Sequence, residues 1–575
     1  MPTPRPVARL LVGPLLRRVV GTRATVWVET SAPAVVRVHT RDGAGGEAAT
    51  FSAFGHHYAL VVVDGLRPGA VTPYEVFLGD QPVWPEPGSR LPASVIRTRR
   101  ADDPTVHLVF GSCRETTQRA TARRLPPDAL DAYARRMMAA PDPDRWPDLL
   151  LMLGDQVYAD QPSPTVRRLL RRRRSRSTGA PPDQVVSFDE YTALYLESWR
   201  DPEIRWLLST VPSVMIFDDH EIVDDWNTSM PWRAEVHRQP WWSERITSGL
   251  ASYWIYQHLG NLAPEELATD PVYAAVVAAR DDATEVLRAF GRRVDAEAAG
   301  YDAAPGRGGS PDVAEVTGRY RWSYALDVGR TRVVVLDNRC GRVLDRAHRA
   351  MLPPAEWAWF TDQVRGDHDH LVIGSSLPWL LPPAIHHVES WNERLADSSR
   401  PRVAAFSERL RRALDLEHWA AFRRSFDALA AVLARLGTGV AGRADPGHRP
   451  PPASISVLSG DVHHSYVARA RFRGRAVVTP VHQVTCSPFH NQVPASMRPL
   501  LWIGWWWLPS VVARLVARTA GVRRPPVRWR RLAGPYFGNA VGTLRHEGRT
   551  AEVTIEGTRP DGSLVTVARH RLAAG

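Results

Sequence analysis

The sequence predicts an α/β protein preceded by a small β-sandwich, and three observations carry that expectation. Residues 8–98 alternate apolar and polar positions in short runs (ATVWVET, AVVRVHT, HYALVVVDGL, TPYEVFLGD, ASVIRTRR) broken by Gly, Pro and Asp turns. That spacing reads as a β-sandwich of immunoglobulin or fibronectin kind. From Val106 to about Val493, apolar runs alternate with helical stretches at 128–139, 189–199, 275–291, 354–365 and 403–436, which is the α/β pattern. Finally, the runs LVF, DLLLML, SVMIF and SISVL are nearly free of polar residues. A strand of that composition is buried on both faces, as in the middle of an α/β sheet.

At 575 residues the chain has room for more than one domain. After the sandwich, Arg99 to Pro104 reads as a linker, and 105–493 as one large domain. Two insertions interrupt it: 160–187, containing LLRRRRSRSTGAPP, and 295–316, rich in Gly, Ala and Asp. A tryptophan-rich segment spans 494–530, and residues 531–575 (AVGTLRHEG, TAEVTIEGT, SLVTVARHRL) read as a β-meander completing the fold.

Composition bounds the class. The 44% hydrophobic and 23% charged fractions are those of a globular protein. All 73 Lys+Arg positions are arginine, and the net charge of +12 favours anionic partners without choosing among phosphates, nucleic acid and membrane. Three cysteines (Cys113, Cys340, Cys486) cannot make a disulfide framework. The apolar stretch LLVGPLL is short and is followed, not preceded, by Arg17-Arg18, so the chain reads as leaderless and cytoplasmic.

Each of the four apolar runs ends in a chemical cluster: Gly111-Ser112-Cys113, Gly154-Asp155-Gln156-Val157-Tyr158, Phe217-Asp218-Asp219-His220-Glu221 and Ser459-Gly460-Asp461-Val462-His463-His464. Singly, each has an ordinary reading as core filler or turn. Together they place carboxylates, a thiol, a phenol and imidazoles at strand C-termini, where open α/β sheets bind ligands. Those are the ligand types of a hydrolytic metal centre.

Asp155 is the best bridging candidate, because Gly154 lets the chain turn and frees the carboxylate. Cys113, Tyr158 and His463 suit a trivalent or borderline ion such as iron. Asp219 and Asp461, with Asp155, make an oxygen-rich second site for a harder cation such as calcium. His220 directly follows a ligand candidate and can donate to a leaving oxygen.

In this order the four motifs resemble the alkaline phosphatase D (PhoD-like) family of the metallophosphatase, or calcineurin-like phosphoesterase, superfamily. Further echoes are VVVLDNR (333–339), LPPAEWAWF (352–360), IGSSLPW (373–379) and HQVTCSP (482–488). The resemblance implies an α/β/β/α sandwich core and a phosphomonoesterase or phosphodiesterase with a dinuclear centre of Fe³⁺ and Ca²⁺ type. Zn²⁺, Mn²⁺ or Mg²⁺ are the other ions such ligands accept, and metal-bound hydroxide would be the nucleophile. It implies Cys113, Asp155, Tyr158, Asp219, Asp461 and His463 as ligands and His220 as catalytic. Arg339 is a candidate for substrate phosphate, since a guanidinium fork matches phosphate oxygens, and equally for a buried ion pair.

Two features lie outside that pattern. The arginine run (Arg167, Arg168, Arg171 to Arg174, Arg176) reads as a solvated helix face or as a funnel for polyanions. Trp502, Trp505, Trp506 and Trp507, flanked by Arg514 and Arg518, read either as a lid packed over the site or as an interfacial membrane anchor. The expected partner is a small phosphoester or a lipid, not a specific nucleic acid. The rival readings are a phosphodiester- or phospholipid-specific hydrolase at a membrane surface, and an idle anion- or membrane-binding protein.

Overall fold

Alternation in the N-terminal region folds into nine strands: β1 (Leu10–Val20), β2 (Arg23–Thr30), β3 (Val35–Thr40), β4 (Gly45–Ala49), β5 (Phe51–Ala53), β6 (His56–Val63), β7 (Val71–Leu78), β8 (Gln81–Trp84) and β9 (Val95–Arg97). They form two antiparallel sheets, ordered β1-β2-β6-β5 and β4-β3-β7-β8, with β9 on β7. Their inward residues, such as Val26, Val28, Val38, Val61 and Val76, make a core of their own. The structure is a computed structural model and describes residues 7–121, 124–174, 179–298, 319–438 and 450–575.

The stretch LLVGPLL, read from sequence for its bearing on export, is the start of β1. Arg17 on the same strand is fully buried and donates to the carbonyls of Ser213, Tyr256 and Gln257 and to Asn261 Oδ1, at 2.7 to 3.1 Å. Four acceptors compensate that buried cation, and they tie the sandwich to the main domain.

The main domain holds two further sheets. The first runs β12-β11-β10-β20-β21-β22, built from β10 (Thr105–Gly111), β11 (Leu149–Leu153), β12 (Ser213–Ile216), β20 (Ala540–Glu547), β21 (Thr550–Thr558) and β22 (Leu564–Ala574). The second runs β13-β14-β15-β16-β18-β17-β19, from β13 (Tyr324–Val328), β14 (Thr331–Leu336), β15 (His370–Ser375), β16 (Ser454–Ser459), β17 (Ser465–Phe472), β18 (Val481–Thr485) and β19 (Val527–Tyr536). β10, β11 and β12 are parallel, as are β14, β15, β16 and β18.

Alternation along β14 shows the layering. Val333 and Val335 join the core between the sheets, whereas Val334 and Leu336 join a second core beneath the helices Pro354–Gln363 and Arg423–Thr438. This is why the strands are apolar on both faces, and it makes the domain an α/β/β/α sandwich. The last strands serve both sheets: β19 pairs with β17, and after Asn539 the chain pairs β20 with β10.

Two helical stretches differ from the sequence expectation. The stretch 275–291 is two helices, Pro271–Ala278 and Thr284–Glu297, separated where Arg280 takes a φ of +48°. The stretch 403–436 is also two, Pro401–Leu414 and Arg423–Thr438, because Asp415 caps the first in the left-handed conformation. A left-handed residue ends a helix, and the released segment carries Glu417 and His418 inward.

Of the insertions, 160–187 forms the helix Pro164–Arg173, with Arg171 paired to Asp183 and Arg174 to Glu190. Its residue Arg176, and most of 295–316, lie outside the described residues. The tryptophan-rich segment forms the helices Arg498–Ile503 and Trp507–Thr519. No helix among the described residues is long and apolar enough to cross a membrane.

Candidate metal centre

The parallel strands of both sheets end at one crevice. β10 delivers Cys113, β11 Asp155, β12 Asp218 to His220, β14 Asp337 to Arg339, and β16 Asp461 to His463. The sheets meet closely there because of Gly460. A Cβ on it would lie 2.1 Å from Ser112 Oγ and 2.9 Å from the Leu153 carbonyl oxygen. Cys113, Asp155, Asp461 and His463 all take positive φ, between +48° and +67°. Such strained conformations concentrate where a site must aim side chains that an ordinary strand end would not.

The structure brings the six ligand candidates together. Ligand atoms of Cys113, Asp155 and His463 lie within 4.8 Å of one another, as do those of Asp155, Asp218, Asp219 and Asp461. The thiol of Cys113 and the hydroxyl of Tyr158 each donate to Asp155 Oδ2 at 3.4 Å, and Tyr158 Oη is 3.5 Å from His463 Nε2. Asp155 belongs to both groups, so it sits where a bridging carboxylate would.

Two carboxylate oxygens here, Asp155 Oδ1 and Asp218 Oδ2, are buried without a hydrogen-bond partner. Buried polar atoms are nearly always satisfied, and a cation would satisfy these. The donor set fits metal ions: oxygen-rich on one side, with thiol, phenol and imidazole on the other.

Electrostatics agree. Burial pushes Asp155 well above the carboxylate range, with His220 opposing and Asp218, Asp219 and Glu221 adding to the rise. Burial and then neighbouring acids raise Cys113 in the same way, and Tyr158 is raised by burial, Cys113 and Asp155. Asp461 goes the other way: burial would raise it, but the hydrogen bond and charge of His418 and the charge of Arg339 bring it to about 2.

His220 is held through Nδ1, 2.9 Å from both oxygens of Asp160, and its ring stacks on Tyr158 with centroids 4.4 Å apart. A ring nitrogen lies within 4.8 Å of Asp155 and Asp219 oxygens. Burial opposes its protonation, yet the charges of Asp160 and then Asp219 raise it well above the usual imidazole range.

Arg339 corrects one of its two sequence readings. Its side chain is fully buried and pairs with Asp218 and Glu417, with Asp219 at 3.4 Å and Asp461 at 3.7 Å. A guanidinium surrounded by four carboxylates is the buried ion pair, not an arm reaching for substrate phosphate. It neutralises part of the acid cluster from beneath.

Several supporting residues of the site are not among the ligand or catalytic candidates that the sequence offers. His418 bridges Glu389 (2.7 Å) and Asp461 Oδ2 (2.9 Å), in the manner of an outer partner that orients a ligand. Glu221 accepts from the backbone amides of Asp155, Gln156 and Asp218 at 2.7 to 3.1 Å, fixing two strand ends against each other. Asp160 lies five residues past Asp155, and only the fold shows that it faces His220. Glu417 and His418 could have been suspected from the polar DLEHW interrupting a helical pattern.

These charges set a pH dependence for the protein held in chelator. Burial is the main cause that lifts Glu221 to about 7, Asp225 to about 8 and Glu356 to about 8. Their folded values exceed the unfolded carboxylate values, so the folded state holds more protons and stability is lost as pH rises through them. The buried neutral histidines, such as His464 at about 4, oppose this fall only through the roughly one quarter still protonated in the unfolded chain at pH 7, a contribution almost gone by pH 8. The melting temperature in chelator is therefore expected to fall from pH 7 to 9, and a rise measured by calorimetry would contradict it.

Comparison with known proteins gives the same direction. Residues 112–268 match the family described as PhoD-like phosphatase, and residues 7–96 match a domain of unknown function, DUF7800. The solved structure of PhoD superposes with a TM-score of 0.57 at 11% identity, covering 98% of this chain and 91% of that one. A maltogenic amylase from S. marinus aligns over 96% of this chain and 80% of its own at 8% identity, with a TM-score of only 0.15. No curated protein sequence matches the chain.

Proposed function

We propose that the chain, whose residues 112–268 match the PhoD-like phosphatase family and whose fold is that of PhoD, is a metal-dependent phosphoric ester hydrolase acting on phosphomonoesters or phosphodiesters. The observation that carries this reading is the buried Asp155 carboxylate, shared by two ligand clusters and with one oxygen unpartnered. Cys113, Tyr158, His463 and Asp155 would hold one ion, for which Fe³⁺ fits the thiol and phenol. Asp155, Asp219 and Asp461 would hold a second, for which Ca²⁺ fits the oxygens, with Zn²⁺, Mn²⁺ or Mg²⁺ as alternatives. Bound cations supply Lewis acidity at the phosphoryl group and lower the pKa of water.

The chain's own groups do the rest. Asp160 fixes the His220 ring through Nδ1 and favours its protonated form. Nε2 is thus left to donate a proton to the leaving oxygen. His418 and Glu389 hold Asp461 in position, and Arg339 balances the acids from below.

The test is turnover of matched chromogenic phosphate mono- and diesters, before and after a chelating wash and after metal is restored. Chelator-sensitive hydrolysis is expected, and the ratio of the two rates gives the ester preference. Absence of turnover on both esters by folded, metal-loaded protein would overturn the hydrolase reading in favour of an anion-binding role.

A further inference from the structure

The helix Trp507–Thr519 carries its apolar stripe on the wrong side for a packed helix. Ala513 and Ala517, four residues apart, are buried, and the helix lies against Pro383–Ala396. Leu508, Val511, Val512, Leu515 and Val516, spaced three and four residues apart, all face outward. A helix at the surface of a globular protein normally turns such a stripe inward. At its start, Trp506 and Trp507 are 52% and 76% exposed. Half of the exposed large apolar side chains among the described residues fall between Leu500 and Val516. A patch of this density marks an interaction surface.

Charge says what covers it. Between Asp461 and Glu547 the sequence holds thirteen arginines and not one Asp or Glu. Arg514, Arg524 and Arg528 crowd Arg473, and burial and then the like charges of Arg524, Arg518 and Arg528 hold Arg514 below its ordinary value. A second copy docked about a two-fold axis would press the same arginines against each other. An anionic lipid surface would instead be attracted by them, while tryptophans settle at the headgroup level. The helix has 13 residues, too few to span a bilayer and suited to lying in its plane.

We propose that the exposed face from Leu500 to Val516, with its arginine surround, docks this protein onto an anionic phospholipid bilayer. The crevice lies close by: the Trp505 ring is 5.0 Å from Tyr466, and Tyr466 is 5.2 Å from His464, the neighbour of the ligand candidate His463. Docking sets the candidate centre near the membrane plane, but its readout is binding and does not depend on the hydrolase reading.

The experiment is co-sedimentation of the full chain with vesicles of phosphatidylcholine alone or doped with phosphatidylglycerol, alongside sedimentation equilibrium without lipid. Wild type is expected to pellet with the anionic vesicles and to be released by salt. Trp506→Ser/Trp507→Ser/Leu515→Ser, all at exposed positions, should weaken partitioning by at least about tenfold. Arg518→Gln/Arg523→Gln/Arg524→Gln should weaken it by roughly fivefold per charge. Asp155→Asn should pellet like wild type, which separates docking from catalysis. Equal pelleting of the tryptophan variant, or no binding to either vesicle, would overturn the proposal. So would a dimer, dissolved by that variant, in a protein that ignores vesicles.

Discussion

Asp155→Asn is expected to abolish phosphoester turnover while the protein stays folded. The carboxylate is the one group common to both ligand clusters, and it receives the Cys113 thiol and the Tyr158 hydroxyl on a single oxygen. An amide fills the same space but removes the charge and replaces one oxygen by a donor. Loss of an outer partner of a metal site already costs roughly 10–100-fold, so loss of the shared ligand should exceed about 10²-fold in kcat/KM.

A second readout separates this from simple misfolding. Burial holds Asp155 well above its usual pKa when no cation is present. In chelator, therefore, the variant should melt at or above the wild-type temperature at neutral pH, because the wild-type folded state must either keep that carboxyl protonated or bury its charge. Adding metal should reverse the order, because only the wild type gains binding free energy in the folded state. Undiminished turnover in Asp155→Asn would remove the basis of the hydrolase reading.

His220→Gln should lower kcat by about 10²–10⁴-fold, and the size of the loss should depend on the leaving group. An alkoxide needs the proton that His220 Nε2 is placed to give, whereas a nitrophenolate scarcely does. Steady-state rates on alkyl and nitrophenyl phosphates should thus diverge in the variant, and a uniform loss on both would reduce His220 to a structural role. Asp160→Asn tests the support. It removes the main charge that keeps His220 protonated, so the alkaline limb of the pH–rate profile should move to lower pH with a smaller loss in kcat.

Much of the site was legible because its signals are local. An apolar run followed by Gly-Asp, Asp-Asp-His or Gly-Asp-Val-His needs only adjacent residues to be recognised as a buried strand with chemistry at its end. Arg339 was ambiguous for the opposite reason. Whether a guanidinium meets phosphate or carboxylates depends on Asp218 and Glu417, 121 and 78 residues away in sequence. The break at Asp415 is hard to read because helical periodicity resumes beyond the short polar DLEHW, and one left-handed residue decides the matter. The tryptophan segment was readable as apolar, but not for the direction of its face.

By itself, the sequence determined the class of fold, the strand-end clusters and the chemistry those residue types can perform, since periodicity and residue type are properties of neighbours along the chain. The tertiary structure alone decided that Asp155 joins two clusters, that Asp160 and His418 support His220 and Asp461, and that Arg339 lies beneath the acids. It also decided that an apolar helix face points outward. These are matters of which distant segments pack together, and packing is set by the balance of burial and charge over the whole chain.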